Sequence, residues 1–201
     1  MSSVVVGLTG QTGAGKSTIS LYAEEMGCAV ISADAVAREA LAPGADCLKV
    51  LAESFGYDII DKDGSCRRSL LAERAFADRE KTDLLNSITH PWIISRAGEY
   101  ISLYMNKNYD VILFDASQLF ESGGQTLCDF VIAVTAPENI RMERIIRRDG
   151  ISREAALLRI RAQYGEEYYT SRADYVIDGS ASVDEVRAQA KKILCRLIGQ
   201  G

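Results

Sequence analysis

Histidine and proline are scarce in this chain: one histidine, His90, and three prolines, Pro43, Pro91 and Pro137, occur in 201 residues. A single histidine beside five dispersed cysteines (Cys28, Cys47, Cys66, Cys128 and Cys195) with no C-x-x-C pair leaves no zinc constellation. The odd cysteine count argues against a disulfide framework and for reduced thiols. An excess of positive charge is also missing. The net charge of −5 and a pI near 5.0 disfavour a nucleic acid or an anionic membrane as general partner. No apolar run approaches membrane-spanning length, and the run at 4–8 is too short for a secretory segment. Repeats, low-complexity tracts and Pro/Ser linkers are absent, so the length suits one domain. The expectation is a cytoplasmic protein acting on small molecules, with no nucleic acid or membrane partner. Composition leaves the oligomeric state open, and a monomer is compatible with it.

What is present is a complete phosphate-binding loop. Gly10-Gln11-Thr12-Gly13-Ala14-Gly15-Lys16-Ser17 fits G-x-x-x-x-G-K-[ST] and lies between an apolar run, Val4–Leu8, and a helical pattern. Glycines let the backbone curl so that successive N–H groups face a polyphosphate. The helix that follows adds its positive amino end. Lys16 would reach the β- and γ-phosphates, Ser17 would ligate Mg²⁺, and Thr18 completes the nucleotide-contacting stretch. ATP with Mg²⁺ is the expected donor.

Strand-like runs fall at 4–8, 29–32, 111–114, 130–134 and 175–177. They are β-branched and mostly continuous rather than alternating, as in a parallel sheet covered on both faces. Helical patterns occupy 17–26, 35–41, 46–54, 69–76, 79–106, 138–148, 152–166 and 183–198. The alternation predicts an α/β fold with a doubly wound, parallel five-stranded sheet, whose ligands collect at the carboxyl ends of the strands. The core is read as 1–34, 108–148 and 171–201. Residues 35–107 contain no strand of the main sheet and read as a helical insertion walling a second substrate. Residues 149–170, rich in Arg, Glu and Tyr, read as a lid.

Four features carry candidate chemistry. Asp34, just beyond the second strand, suits a carboxylate that accepts the proton of an attacking hydroxyl; it serves equally as N-cap of helix 35–41. Asp115 ends the third strand, where it could hold Mg²⁺ through water or mark a turn. Arg141, Arg144 and Arg148 share a helical face, and at least one is expected at phosphate oxygens. His90-Pro91 interrupts a helical pattern, and Pro91 is expected to kink or restart it. Two decoys fail. Ser122-Gly123-Gly124-Gln125 follows the strand ending in Asp115 instead of preceding it, the wrong order for a transporter ATPase. Asp61-Lys62-Asp63-Gly64 reads as a turn, because Asn106-Lys107-Asn108-Tyr109 lacks the guanine-reading Asp. The residues themselves leave open a small-molecule or nucleoside-monophosphate kinase and a nucleotide-dependent switch.

In order and spacing, the remaining short motifs resemble the dephospho-CoA kinase family along nearly the whole chain. They run from Gly7-Leu8-Thr9-Gly10 through Ala33-Asp34, Ala37-Arg38, Pro43-Gly44, Phe55-Gly56, Gly64, Arg68, Leu71, Phe76, Leu85-Asn86 and His90-Pro91. Asp115, Leu119-Phe120-Glu121, Arg144, Arg148-Asp149, Gln163, Ala173-Asp174 and Val176-Ile177-Asp178 complete the series. The resemblance implies a P-loop kinase of the nucleoside-monophosphate-kinase type, moving the ATP γ-phosphate to the ribose 3′-hydroxyl of dephospho-CoA. It implies Asp34 as catalytic carboxylate beside Lys16 and Arg144, and Arg144 and Arg148 at the nucleotide phosphates. Asp34, Arg38, Arg68, His90 and Asp115 fall on the acceptor side. The chain departs from the family pattern at Ser32, Arg67, Ser117 and Gly179.

Overall fold

The computed structural model describes residues 3–198. In chain order the elements are β1 (Val4–Gly10), α1 (Lys16–Glu25), β2 (Ala29–Ser32), α2 (Ala33–Glu39), α3 (Asp46–Phe55), α4 (Arg68–Ala75), α5 (Arg79–Asn106) and β3 (Val111–Asp115). After these come β4 (Phe130–Thr135), α6 (Glu138–Asp149), α7 (Arg153–Arg161), α8 (Glu166–Thr170), β5 (Tyr175–Asp178) and α9 (Val183–Ile198). The five strands form one sheet in the order β2-β3-β1-β4-β5. Parallel registers pair Val4 with Val111, Val6 with Phe130 and Ile132 with Tyr175. The sheet is α/β and parallel, as the continuous apolar runs require. All seven residues of β1 are buried, because it lies between β3 and β4 with a layer on each face.

The chain divides into two compact units, residues up to Ile31 with Tyr100 onward, and Ser32–Glu99. In the first, Val6, Leu8, Leu113, Ile132 and Val134 of the sheet pack with Ile19 and Ala23 of α1 and with Val186, Ala190 and Leu194 of α9. Each fully buried Leu, Ile or Val contributes about 1.5–3 kcal/mol. The chain leaves β1 toward β2 on one side of the sheet and leaves β4 toward β5 on the other. A crevice therefore opens at the carboxyl ends of these central strands. The second unit has its own core: Leu48, Leu51 and Phe55 of α3, Ile59, and Leu71 and Ala75 of α4, with half-buried Leu84, Leu85, Ile88 and Trp92 packed against them. Among the described residues all five cysteines are free thiols, and burial pushes Cys128 up to about 12. No helix among the described residues is long and apolar enough to cross a membrane.

Two expectations about helices change. The pattern at 152–166 forms two helices, since Gly165 caps α8 with extended backbone and the residues just before it are drawn to the phosphate loop. At Pro91 the helix does not restart: Arg79–Asn106 is one continuous helix. Proline removes one N–H from the ladder, and the burial of Leu84, Leu85, Ile88 and Trp92 outweighs that single loss. Pro91→Ala should therefore stabilise the helix, by about 1–3 kcal/mol. Thermal and urea unfolding check this; an unchanged or lowered midpoint would contradict it.

Candidate active site

The phosphate loop is shaped by backbone crowding. Gly10 has φ of 141°, and a Cβ there would meet the Val134 carbonyl oxygen at 2.2 Å; one on Gly13 would meet the Arg141 carbonyl oxygen at 2.7 Å. Gly15 adopts left-handed backbone as N-cap of α1, whose first turn carries no acidic side chain. The positive end of the helix is therefore left for an anion. Arg144, from α6, donates through Nη1 to the carbonyl oxygens of Gly13 and Ala14, each at 3.2 Å. In a trans peptide the C=O and the next N–H point in opposite directions. By holding the Ala14 carbonyl, Arg144 turns the Gly15 N–H to the other side of the loop.

Lys16 projects from the start of α1 with its side chain mostly buried. Its Nζ donates to Ser117 Oγ at 2.8 Å and lies 4.0 Å from Asp115 Oδ1. Asp115, at the carboxyl end of β3, accepts a 2.6 Å hydrogen bond on Oδ2 from Ser20 Oγ of α1. Ser17 is exposed at the helix start, and Thr18 is half-buried. Lys16, Ser17, Asp115 and the loop are thus brought together at the sheet's carboxyl edge. Ser117, a departure from the family pattern, supplies the ammonium with an acceptor. No group of three His, Cys, Asp or Glu side chains among the described residues could cage a metal ion. The donors on offer, one hydroxyl and one carboxylate, match a cation that keeps several waters and is held mainly by substrate phosphates.

The arginines of α6 have separate partners. Arg141 is buried, donates through Nε to the Ala136 carbonyl at 3.0 Å, and keeps Nη1 without a protein acceptor; burial lowers its proton affinity. Arg148 makes a two-pronged pair with Asp149 at 2.7 and 2.9 Å. Arg159 of α7 pairs with the same carboxylate. This clip joins α6 to α7 and, led by the Arg148 hydrogen bond, holds Asp149 at about 2. Fully buried Tyr169 of α8 donates its hydroxyl to Glu121 Oε1 at 3.2 Å. Its side chain fastens the far end of the 149–170 segment.

Asp34, Arg38, Arg68 and His90 lie in the second unit. Asp34 is exposed in the first turn of α2, and the N-cap is Ser32, whose Oγ accepts from the Ala35 N–H at 3.3 Å. Capping therefore does not account for Asp34. Arg38 and Arg68 are exposed on α2 and α4, and His90 is half-buried in α5. Arg67 pairs with Asp61 at 3.0 Å, and the Gly64 N–H closes a turn onto the Asp61 carbonyl at 2.9 Å. Sequence reasoning missed Ser20, Ser117 and Gly179 as site residues. A Cβ on Gly179 would meet the Ala14 carbonyl oxygen at 1.9 Å, so the turn after β5 props the loop from below. Ser20 was visible only as the residue one helical turn beyond Lys16.

Comparison with known proteins gives consistent results. The dephospho-CoA kinase family model matches residues 4–185. The dephospho-CoA kinase of Corynebacterium diphtheriae is 40% identical over 196 residues, 98% of each chain. Among solved structures, the Campylobacter jejuni dephospho-CoA kinase superposes with a TM-score of 0.73 at 27% identity, covering 98% of both chains. The Thermus thermophilus protein TT1252 reaches 0.81 at 29% identity, also covering 98% of both chains.

Two outcomes follow from the geometry. Gly179→Ala should destabilise the first unit by about 1–3 kcal/mol or more and weaken ATP binding, read by thermal unfolding and calorimetry. Asp149 is held below its ordinary 3.8, so the clip is intact above about pH 4 and is lost as pH falls toward about 2. Amide exchange in α7 should accordingly be insensitive to the clip between pH 7 and 5. Asp149→Asn should speed that exchange at pH 7, with no added effect at the acid limit.

Proposed function

This chain belongs to the dephospho-CoA kinase family, ATP-dependent kinases that phosphorylate dephospho-CoA in coenzyme A biosynthesis, and from that premise we propose how its residues divide the work. Residues Gly10–Thr18 bind the ATP polyphosphate, with Lys16 on the β- and γ-phosphates. Asp34 accepts the proton of the ribose 3′-hydroxyl as that oxygen attacks the γ-phosphorus. The bond to the β–γ bridging oxygen breaks, and ADP leaves. Arg38, Arg68 and His90, in the 35–107 insertion, bind the acceptor together with Asp115. Arg144 holds the loop's shape and turns its remaining donors to the nucleotide. Arg148 reaches the phosphates only on giving up Asp149, and residues 149–170 act as the lid.

The observation that carries this reading is Lys16 Nζ resting on the Ser117 hydroxyl at 2.8 Å, beside a carboxylate that Ser20 already orients. The ammonium is held at the mouth of a pre-curled anion loop by a neutral partner that a phosphate oxygen readily displaces. Mg²⁺, bound by Ser17 and through water by Asp115, would neutralise charge on the β- and γ-oxygens. The free thiols and small-molecule substrates support a cytoplasmic setting. Another small-molecule kinase would share the donor half and differ in its acceptor.

With ATP, Mg²⁺ and dephospho-CoA the protein should form CoA and ADP, scored by mass. Phosphorylation of a nucleoside monophosphate instead of dephospho-CoA would overturn the acceptor. Asp34→Asn should bind ATP nearly as the parent does and transfer phosphate about 10²–10⁴-fold more slowly. Transfer at the parental rate would refute Asp34 as base.

A further inference from the structure

The stretch between α7 and α8 meets the phosphate loop at two points. The Thr12 backbone N–H donates to Gln163 Oε1 at 2.7 Å, across 151 residues of sequence. Gln11 Nε2 donates to the Tyr164 carbonyl at 2.9 Å. An amide side chain has an acceptor end and a two-donor end. A backbone N–H can bond only the oxygen end, so Thr12 fixes which way round the Gln163 amide sits. The Nε2 group is left with two N–H donors beside the loop, and no protein acceptor meets it among the described residues.

The position of that group matters. Amides near the α1 amino end serve the inner phosphates, and Lys16 serves the β/γ pair. The upstream limb of the loop, where Thr12 lies, therefore borders the terminal phosphate. The obvious cationic donors are partly committed elsewhere. Arg144 Nη1 is spent on the Gly13 and Ala14 carbonyls, and Arg148 is paired with Asp149.

We propose that Gln163 contacts the transferring phosphate: with Oε1 held by the Thr12 N–H, its Nε2 group donates to the γ-phosphoryl oxygens of ATP. The proposal rests on the phosphoryl-transfer reading above. Charge spread over the equatorial oxygens in the transition state strengthens such a bond as the reaction proceeds. The same amide bridges lid and loop, so the donor is in place only when the 162–165 stretch is docked.

Gln163→Glu separates this role from mere docking. It keeps an oxygen for the Thr12 N–H at the same reach and replaces the donors by a carboxylate oxygen that repels phosphate. Gln163→Ala removes both ends. Three quantities are measured: kcat for dephospho-CoA phosphorylation, the dissociation constants of ATP and ADP by calorimetry without acceptor, and Thr12 amide exchange. The proposal expects Gln163→Glu to lower kcat about 10- to 100-fold. It also expects ATP to be weakened by a larger factor than ADP, which lacks the γ-phosphate, while Thr12 stays protected. Parental kcat in Gln163→Glu with loss only in Gln163→Ala, or equal changes for ATP and ADP, would overturn it. If the parental chain makes no CoA, the acceptor reading fails, and the ATP-to-ADP comparison still decides the role of Gln163.

Discussion

Everything at this site depends on how tightly the backbone is packed around the phosphate loop. Three positions admit no Cβ because backbone carbonyls stand in the way: Gly10 against Val134, Gly13 against Arg141, and Gly179 against Ala14. The loop is therefore pinned by β4, by α6 and by the turn after β5. Arg144 adds two hydrogen bonds to loop carbonyls. Bonds from a charged donor contribute about 1.5–3 kcal/mol each. A loop whose shape is fixed in this way loses little freedom when an anion arrives, and its N–H dipoles need no reorganisation during phosphoryl transfer.

Around that frame, the partners chosen for Lys16 are informative. Its nearest acceptor is a hydroxyl at 2.8 Å, and the carboxylate stands back at 4.0 Å. A tight lysine–aspartate pair in a mostly buried setting would be expensive to break, because each charge left alone carries a desolvation cost. A neutral hydroxyl bond contributes only about 0.5–1.5 kcal/mol. Ser20 reinforces the arrangement by occupying the other oxygen of Asp115. In the phosphate-binding role proposed for it, Lys16 is thus held at low cost of release.

Most of the fold was legible in the sequence, since five β-branched runs and the helices between them report local burial. The phosphate loop was legible too, as a contiguous motif with its strand and helix attached. Features made by contacts distant in sequence were not. Ser32 as the cap of α2 was hidden because Asp34 fits the same pattern two residues later. The continuity of α5 through Pro91 depends on Leu84, Leu85, Ile88 and Trp92 finding a core, which a single-residue propensity does not report. Gly179 looked like a departure from a family pattern, and in this chain it is a steric necessity against Ala14.

The arginines show what a count of charges leaves out. From spacing, Arg141, Arg144 and Arg148 share one helical face, with at least one expected at phosphate oxygens. In the structure one is buried against a backbone carbonyl, one braces the loop, and one is matched with Asp149. The field at the loop therefore comes from Lys16, from Arg144, whose charge is left in place by its neutral carbonyl partners, from the amino end of α1 with no acidic residue in its first turn, and from the loop's own N–H groups. Such a source is local and directional. A chain of net charge −5 can then hold a polyanion at one point while its surface at large repels polyanionic polymers.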